Sequence, residues 1–340
     1  MHNEHSFRLV LVMSLMLASS LVSAQTYTIT DLGTLGGNTS SAHFINSAGV
    51  VVGDSAIKKT GNADHAFTYS AGKLTDLGTL GGEYSVGYGN NASGSVVGYS
   101  TLADGTYRAF QYSNGVMSAL PTLGANYGAA TAINASGQIV GQSDTSGNVQ
   151  SGFIYSNGVI TDLGNLGGTF GTSGYGINSA GQVVGYSYNA QGNFLAFLWQ
   201  NGTMSSLGTL GGDWSKGFAI NDAGQITGQA YLAKNVKAHA FLYSNGKLQD
   251  IDTNNSTYSD GDAINSSGVI VGEMTVKGGF TLNYHAFVYS GGKMQDLNGL
   301  IPAGSGWVLT QAAGINDSGQ IVGYGTINKK QHGFLLTPVK

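Results

Sequence analysis

The sequence predicts an all-β protein, a seven-bladed β-propeller with four-stranded antiparallel blades. Three observations predict it: a repeat that runs the length of the chain, four strand patterns inside the repeat, and an extra strand near the N-terminus that matches a missing fourth strand in the last unit. The repeat is centred on an asparagine that is followed three residues later by glycine. The seven asparagines are Asn46, Asn91, Asn134, Asn178, Asn221, Asn265 and Asn316. The steps between them are 43 to 45 residues, except for a last step of 51, which is the period of a propeller blade.

The unit around Asn178 shows the strand pattern of one repeat. Asn178 to Gly181 fits a type I turn, with Asn first and Gly fourth. The run that follows is β-branched and apolar, and Asn201-Gly202 is a strong hairpin signal. Strands are therefore predicted at residues 174–177, 182–187, 195–199 and 204–207. No part of the unit has the spacing of an amphipathic helix.

The first strand of each unit carries a small residue four positions before the asparagine. These residues are Ala42, Gly87, Ala130, Gly174, Gly217, Gly261 and Ala312. Backbones that crowd around a shared axis need such small residues, because larger side chains would clash. This favours a ring over a linear solenoid.

The two chain ends predict how the ring closes. The last unit has strand patterns at residues 313–316, 320–324 and 332–336 but lacks a fourth. Residues 27–33 resemble a fourth strand with no unit before it, matching residues 73–78. We expect these segments to share one sheet, which removes exposed edges and makes residues 25–340 a single domain.

Composition limits the classes of partner. Charged residues are 9% of the chain and the formal net charge is −4, so no basic face for nucleic acid is expected. Residues 1–24 resemble a signal peptide, with Arg8, an apolar core and a small-residue cleavage site at 22–24. We expect a secreted or periplasmic monomer with no membrane span after cleavage. The chain has no cysteine, and no cofactor or metal is predicted.

The third strands carry a triplet that ends in Phe. The triplet is His-Ala-Phe at residues 65–67, 239–241 and 285–287, with variants at 108–110, 151–153, 195–197 and 332–334. With the Asp-Leu-Gly and Ile-Asn-x-x-Gly-Gln-Ile-Val-Gly elements, it resembles the repeat of the bacterial HAF family of extracellular repeat proteins. The resemblance covers about residues 27–337. It implies an exported bacterial protein and supplies no general catalytic residues.

The repeated histidines and aspartates favour a structural interpretation. His65, His239, His285 and His332 occupy equivalent sites in different blades, too far apart to share a metal ion. We expect each to close the same hydrogen bond at a blade edge. Asp31, Asp76, Asp162, Asp250 and Asp296 are predicted to accept hydrogen bonds from backbone amides at strand ends.

The candidate ligand-binding residues are aromatic and lie in the linkers that precede the first strands. They are Tyr84, Tyr127, Phe170, Trp214, Tyr258 and Trp307, with the acidic neighbours Glu83 and Asp213. In a propeller these linkers surround one mouth of the channel, so the rings would form an interrupted girdle. Aromatic rings beside polar groups are a common way of binding sugars. The alternative is that each ring fills the seam between two blades.

The sequence therefore predicts a non-catalytic binding or surface-interaction module, with an extracellular glycan or protein as its partner. One alternative is a polysaccharide hydrolase or lyase with its site at the channel mouth. His43 and Asp262, at the same first-strand position of different blades, would be its candidate acid and base. Another alternative is a structural envelope protein without a small ligand.

Overall fold

The structure is a computed structural model that describes residues 25–59, 63–276 and 283–339. It is a ring of seven antiparallel four-stranded sheets, which confirms the predicted fold class. The signal peptide predicted at residues 1–24 lies outside the described residues. No helix in the described ranges is long and apolar enough to span a bilayer.

Each blade has four strands, which follow chain order from the channel outward in blades one to six. The N-terminal strand β1 (Tyr27–Asp31) precedes the first complete blade. Blade one comprises β2 (Ser40–Ile45), β3 (Val51–Ala56), β4 (Asp64–Ser70) and β5 (Lys73–Asp76). Blade two comprises β6 (Gly81–Asn90), β7 (Val96–Leu102), β8 (Tyr107–Ser113) and β9 (Val116–Ala119). Blade three comprises β10 (Gly124–Ile133), β11 (Ile139–Thr145), β12 (Gln150–Ser156) and β13 (Val159–Asp162).

The remaining blades continue this order. Blade four comprises β14 (Gly167–Ile177), β15 (Val183–Asn189), β16 (Phe194–Gln200) and β17 (Thr203–Gly208). Blade five comprises β18 (Gly211–Ile220), β19 (Ile226–Leu232), β20 (Ala238–Ser244) and β21 (Lys247–Asp250). Blade six comprises β22 (Ser259–Ile264), β23 (Ile270–Val276), β24 (Asn283–Ser290) and β25 (Lys293–Asp296). Blade seven comprises β26 (Trp307–Ile315), β27 (Ile321–Ile327) and β28 (Lys330–Pro338). Short 3-10 turns lie at Ala233–Asn235 and Leu297–Gly299.

Strand β1 completes blade seven, as the chain ends predict. It pairs antiparallel with β28, with Tyr27 opposite Pro338 and Asp31 opposite Phe334. The sheet order is β1, β28, β27, β26, so the first strand of the chain is the outermost strand of the last blade. The ring is therefore closed by backbone hydrogen bonds between the two ends of the chain.

The core lies in the seams between neighbouring blades. The Phe of each third-strand triplet has no solvent exposure in any blade; these residues are Phe67, Phe110, Phe153, Phe197, Phe241, Phe287 and Phe334. Each packs near a valine, isoleucine or alanine of an adjoining sheet; Phe67, for example, clusters with Val322 across the closure. Burying a phenylalanine contributes roughly 1.5 to 3 kcal/mol, so the seven seams hold the ring together.

The repeated asparagines form a closed ring of hydrogen bonds around the channel. Each side-chain amide donates to the backbone carbonyl oxygen of the asparagine in the next blade, from Asn46 to Asn91 onward. Asn316 completes the ring by donating to the carbonyl oxygen of Asn46 at 3.2 Å. The side-chain oxygens accept from backbone amides of their own turns, as in Asn178 with Gln182. Asparagine is suited to this position because its one amide group both donates and accepts.

The histidines and aspartates pair with each other between the third and fourth strands. His65, His239 and His285 contact Asp76, Asp250 and Asp296 at 2.6 to 2.9 Å. His332 contacts Asp31 at 2.9 Å across the ring closure. The same aspartates accept from a backbone amide two residues on, as Asp76 does from Gly78. Both structural predictions for these residues are confirmed.

The first strands begin earlier than predicted in blades two to five and in blade seven. The sequence places the start of the first strand in blade four at residue 174, whereas β14 begins at Gly167. Gly167 pairs with Asn189 and the ladder resumes at Thr172 after a shift in register. The apolar alternation is interrupted in this bulged stretch, so the pattern gives no strand signal there. The aromatic residues assigned to linkers therefore lie on strands in blades two to five and in blade seven.

Candidate functional site

The rim is the end of the channel at which the first strands begin, opposite the asparagine ring. Tyr84, Tyr127 and Trp214 are partly exposed there, on β6, β10 and β18. Phe170 on β14 is 60% exposed, an unusual position for a phenylalanine. Tyr258 immediately precedes β22 and is partly exposed. Five of the six predicted rings therefore have exposed surface at this end.

Trp307 lies elsewhere. It is 9% exposed and belongs to the core cluster of blade seven, with its ring 6.1 Å from that of Phe334. The expectation that all six rings form an exposed girdle was wrong at this position. Trp307 lies nine residues before its asparagine, whereas the other rings lie seven or eight before theirs, and it fills a seam as the alternative describes.

Blades four and five carry a continuous group of rings, which we call the aromatic patch. It consists of Phe170, Tyr188, Phe194, Trp214 and Tyr231. The successive ring centroids are 5.3, 5.6, 5.0 and 3.9 Å apart. All five are at least partly exposed, so the patch presents a broad apolar surface to solvent.

The aromatic patch continues into the channel through Tyr186. Its ring lies 5.6 Å from Phe194 and 5.8 Å from Tyr175, which in turn is 5.6 Å from Phe218. The ammonium group of Lys216 lies over two of these rings, 5.1 Å from the centre of Tyr186 and 5.2 Å from that of Phe194. A cation at this distance is attracted by the ring faces. Lys216 therefore adds a positive charge to the inner edge of the patch.

A second row of rings lines the wall from blade one to blade three. His43, Tyr88, Tyr99, Tyr107 and Tyr127 follow one another at centroid distances of 5.3 to 6.4 Å. Tyr107 is 42% exposed, and the Tyr127 hydroxyl accepts a hydrogen bond from the Gln142 amide at 2.9 Å. This row connects the channel interior to the rim.

The predicted acidic neighbours lie at the rim. Glu83 is exposed beside Tyr84, and Asp213 is exposed beside Trp214. The Asp213 backbone amide donates to the Asn235 side chain at 2.9 Å, and the Asn235 amide donates to the Asp213 carboxylate. These two bonds hold Asp213 next to the aromatic patch. Only one of its carboxylate oxygens accepts from Asn235.

The channel contains a cavity of about 360 Å³ between the rim and the asparagine ring. Its wall is formed mainly by first-strand side chains, which include His43, Tyr88, Tyr175, Phe218 and Asp262. Burial raises the pKa of Tyr88 and Tyr175 well above that of an exposed tyrosine. Both hydroxyls therefore stay neutral at physiological pH and present donors and acceptors to this space.

Blade six carries three neighbouring carboxyl groups, of which Asp262 lines the cavity. We call them the acidic cluster: Asp260, Asp262 and Glu273. Burial, reinforced by the neighbouring carboxylates, raises the pKa of Asp262 well above its ordinary value. Burial and Asp260 raise the pKa of Glu273 to about 8, and burial raises that of Asp260 to about 6. Glu273 therefore holds a proton at neutral pH.

His43 and Asp262, the acid and base candidates of the sequence, take different partners. His43 Nε2 lies 2.6 Å from Asp54 Oδ1 of its own blade. Asp262 Oδ2 accepts from the Gln311 amide of blade seven at 2.7 Å. Both line the cavity, but neither contacts the other.

The raised pKa of Glu273 predicts how stability depends on pH. The folded protein binds a proton at Glu273 up to about pH 8, whereas an unfolded glutamate loses it near pH 4.5. The folded state therefore binds more protons in this window, and its stability falls as pH rises from 4.5 to 8. We expect Glu273→Gln to raise the free energy of unfolding at pH 9 by about 1 to 3 kcal/mol and to flatten the slope.

Urea denaturation at several pH values measures this effect. Glu83→Gln is the matched control, because it removes an exposed carboxylate from the rim. If Glu273→Gln followed the wild-type pH curve, or if Glu83→Gln flattened it equally, the carboxyl at 273 would not be the group that titrates.

Comparison with solved structures places the ring among known propellers. The chain resembles the β-propeller domain of the Trilobed protease from Pyrococcus furiosus, with 9% identity, 92% of this chain and 93% of that chain covered, and a TM-score of 0.59. It also resembles the acylaminoacyl peptidase of Pyrococcus horikoshii, with 10% identity, 91% and 53% coverage, and a TM-score of 0.57. The shared feature is the β-propeller fold.

The Pyrococcus furiosus domain is described as having an open velcro topology. In the present chain β1 pairs with β28 and closes the ring. No protein-family model matches the sequence, and no curated protein is similar to it. The likeness at 9 to 10% identity concerns the fold alone.

Sequence reasoning missed most of the inner residues of the site. Tyr188 and Tyr231 follow the second-strand glycines by three residues, a position that holds no ring in the other blades. Those blades have Ala56, Thr101, Asp144, Thr275 and Thr326 there. A comparison of each repeat position across all seven units, rather than of the linkers alone, would have found them.

Proposed function

We propose that this protein is an exported, non-catalytic binding module that recognises an extracellular glycan through the aromatic patch. The observation that carries the proposal is the continuity of the patch. Five rings of two neighbouring blades touch in sequence and keep exposed surface, and Phe170 is 60% exposed.

The chemistry of such a surface suits sugar rings. An aromatic face buries the apolar C–H side of a pyranose, while nearby polar groups satisfy its hydroxyls. Around the patch these groups are Asp213, Asn235 and Lys216. The rings lie in a row, which fits successive residues of an extended polymer better than one small molecule.

The repeat itself does not require these rings. Trp307 shows what a seam-filling aromatic looks like, since it is buried and packed on Phe334. Phe170 and Trp214 remain exposed in blades whose seams are already filled by Phe197 and Phe241. An exposed apolar patch with no role in the core indicates an interaction surface.

The hydrolase alternative is favoured by one observation. The acidic cluster brings three carboxyl groups together in blade six. The pKa of Glu273 is higher than that of Asp260, because the charge of Asp260 adds to the effect of burial on Glu273. Glycoside hydrolases use two carboxyl groups whose pKa values differ, so that one is a protonated acid and the other an ionised base or nucleophile. Two observations count against a hydrolase. Asp260 is 6% exposed and accepts a hydrogen bond from Tyr258, and Asp262 accepts one from Gln311.

Affinity gel electrophoresis on a polysaccharide panel tests the proposal. The mature chain is run through gels that contain xylan, β-glucan, galactomannan, pectin, alginate or dextran. At least one polysaccharide is expected to retard the wild type, and Phe170→Ala is expected to weaken that retardation about 10-fold, because it removes roughly 1.4 kcal/mol of stacking.

Val159→Ala is the control for this test, because Val159 is 62% exposed on the outer strand β13, away from the patch. Retardation by no polysaccharide, or an equal effect of both variants, would contradict the proposal. Release of reducing ends from a retained polysaccharide, lost in Glu273→Gln, would establish the hydrolase instead.

A further inference from the structure

Lys216 occupies a first-strand position that holds no other positive charge in the seven blades. The residues at this position in the other blades are Ser41, Val86, Ala129, Ser173, Asp260 and Gln311. The repeat therefore does not require a cation here. A side chain that the fold does not dictate is free to serve binding, so its surroundings indicate the kind of ligand.

The ammonium group of Lys216 reaches across the seam between blades four and five. It lies 5.1 Å from the centre of the Tyr186 ring and 5.2 Å from that of Phe194, which both belong to blade four. The two rings attract the cation and hold it in place. Among residues 25–59, 63–276 and 283–339, no side chain or carbonyl oxygen forms an ion pair or a hydrogen bond with this group. Its N–H hydrogens are therefore available to a ligand.

Phe194 places this cation beside the aromatic patch. The Phe194 ring is 5.0 Å from the ring of Trp214 and 5.2 Å from the ammonium group of Lys216. Trp214 and Lys216 are both partly exposed on β18, with the buried Ser215 between them. Side chains two residues apart on a strand share a face and lie about 7 Å apart. A charged substituent of a sugar stacked on these rings is therefore within reach of the ammonium group.

The two nearby carboxylates have hydrogen-bond donors of their own. Asp213 accepts from the Asn235 amide, and Asp260 of blade six accepts from the Tyr258 hydroxyl. Burial raises the pKa of Asp260 to about 6, and the positive charge of Lys216 opposes that rise. Lys216 therefore attracts Asp260 without contacting it, and the protein leaves direct contact with the ammonium group to a ligand.

We infer that the glycan bound at the aromatic patch is acidic, and that Lys216 binds an anionic group carried by one of its sugar rings. This inference rests on the glycan-binding function proposed above. The sugar ring stacks on Trp214 and Phe194, while its anionic group accepts hydrogen bonds from the ammonium group. Hydrogen bonds between charged groups are about twice as strong as those between neutral groups, so the charged sugar is bound in preference to a neutral one.

Affinity gels that contain matched polymers test this inference. Polygalacturonate is compared with its methyl ester, which has the same backbone without the charge, and dextran sulfate is compared with dextran. The wild type is expected to bind the charged member of at least one pair about 10-fold or more tightly than the neutral member. The pair that shows this difference identifies the anionic group as a uronic acid carboxylate or as a sulfate ester.

Lys216→Met is expected to abolish the preference for the charged polymer, because it keeps an apolar side chain beside the rings and loses the charge. Its thermal unfolding is expected within a few degrees of the wild type, since the residue is only partly buried. Lys247→Met is the matched control, because it removes the same charge from an exposed position on the outer strand β21. The control is expected to keep the preference of the wild type.

Equal retardation by both members of each pair, or retardation by none of the four polymers, would overturn this inference. A preference that persists in Lys216→Met, or that Lys247→Met abolishes equally, would also overturn it. The comparison of polymers needs only the wild type, so it is decisive even if Lys216→Met does not fold. In all these cases glycan binding at the patch still holds if another polysaccharide is retained and Phe170→Ala weakens its retention. Retention of no polysaccharide contradicts both proposals.

Discussion

Gly98→Ala is expected to prevent stable folding. Gly98 lies on β7 opposite Gly87, beside the register shift between β6 and β7. A Cβ atom on Gly98 would lie 1.8 Å from the carbonyl oxygen of Val86 and 3.0 Å from the ring of Phe110. The first contact is with backbone, which cannot move without breaking the ladder. We expect a loss of about 4 kcal/mol or more, a large share of the stability of a typical domain.

Thermal unfolding monitored by circular dichroism measures this loss. The matched control is Gly147→Ala, because Gly147 is exposed, has no other atom within 3.4 Å of its added Cβ and does not have positive φ. The control is expected to unfold within a few degrees of the wild type. A Gly98→Ala protein as stable as the control would show that β6 and β7 are not packed as described.

The close approach of the second strand to a first-strand carbonyl oxygen explains why every repeat has glycine at this position. Every blade has glycine at this position, and in each the added Cβ would approach a first-strand carbonyl oxygen to 2.0 Å or less. The seven are Gly53, Gly98, Gly141, Gly185, Gly228, Gly272 and Gly323. The glycine that marks the end of the apolar run in the sequence is therefore a requirement of the bulge between the two innermost strands.

The architecture could be predicted from sequence because each blade repeats the same local solution. Turn chemistry at Asn178, burial at Phe197 and pairing of the two chain ends are all visible as patterns. The start of β14 at Gly167 could not be predicted, because that stretch pairs through a bulge without apolar alternation. The repeated pattern identifies the strands that all blades share, but it does not show where a strand of one blade is longer or bulged.

The site was predicted only in part for the same reason. The linker aromatics Phe170 and Trp214 were found because rings recur there in six units, whereas rings at the positions of Tyr188 and Phe194 occur in two and three blades and the acidic cluster in one. Trp214 lies seven residues before its asparagine and Trp307 nine before its own, and the sequence does not show that this difference takes one ring from the rim into a seam. Contacts between blades decide the difference.

These two tryptophans give the second large prediction. Trp307→Ala removes a ring that is 9% exposed and packed in the core of blade seven. We expect it to lower the free energy of unfolding by about 3 to 5 kcal/mol, because it leaves a cavity beside Phe334. Trp214→Ala removes a partly exposed ring from the aromatic patch, and its expected cost is about 1 kcal/mol or less.

Binding is expected to respond in the opposite order. Trp214 contacts Phe194 and Tyr231 at centroid distances of 5.0 and 3.9 Å, so its loss divides the aromatic patch in two. Trp307 has no part in that surface. The folded fraction of Trp307→Ala should therefore bind polysaccharide as the wild type does, whereas Trp214→Ala should bind at least about 10-fold more weakly.

The measurement that tests the account most directly is this pair of variants, compared in affinity gels at a temperature where both are folded. If the aromatic patch binds the polysaccharide, Trp214→Ala is retarded at least about 10-fold less than the wild type and Trp307→Ala. Equal retardation of the two variants, together with strong destabilisation by Trp214→Ala, would contradict it and would show that the rim aromatics serve the seams between blades.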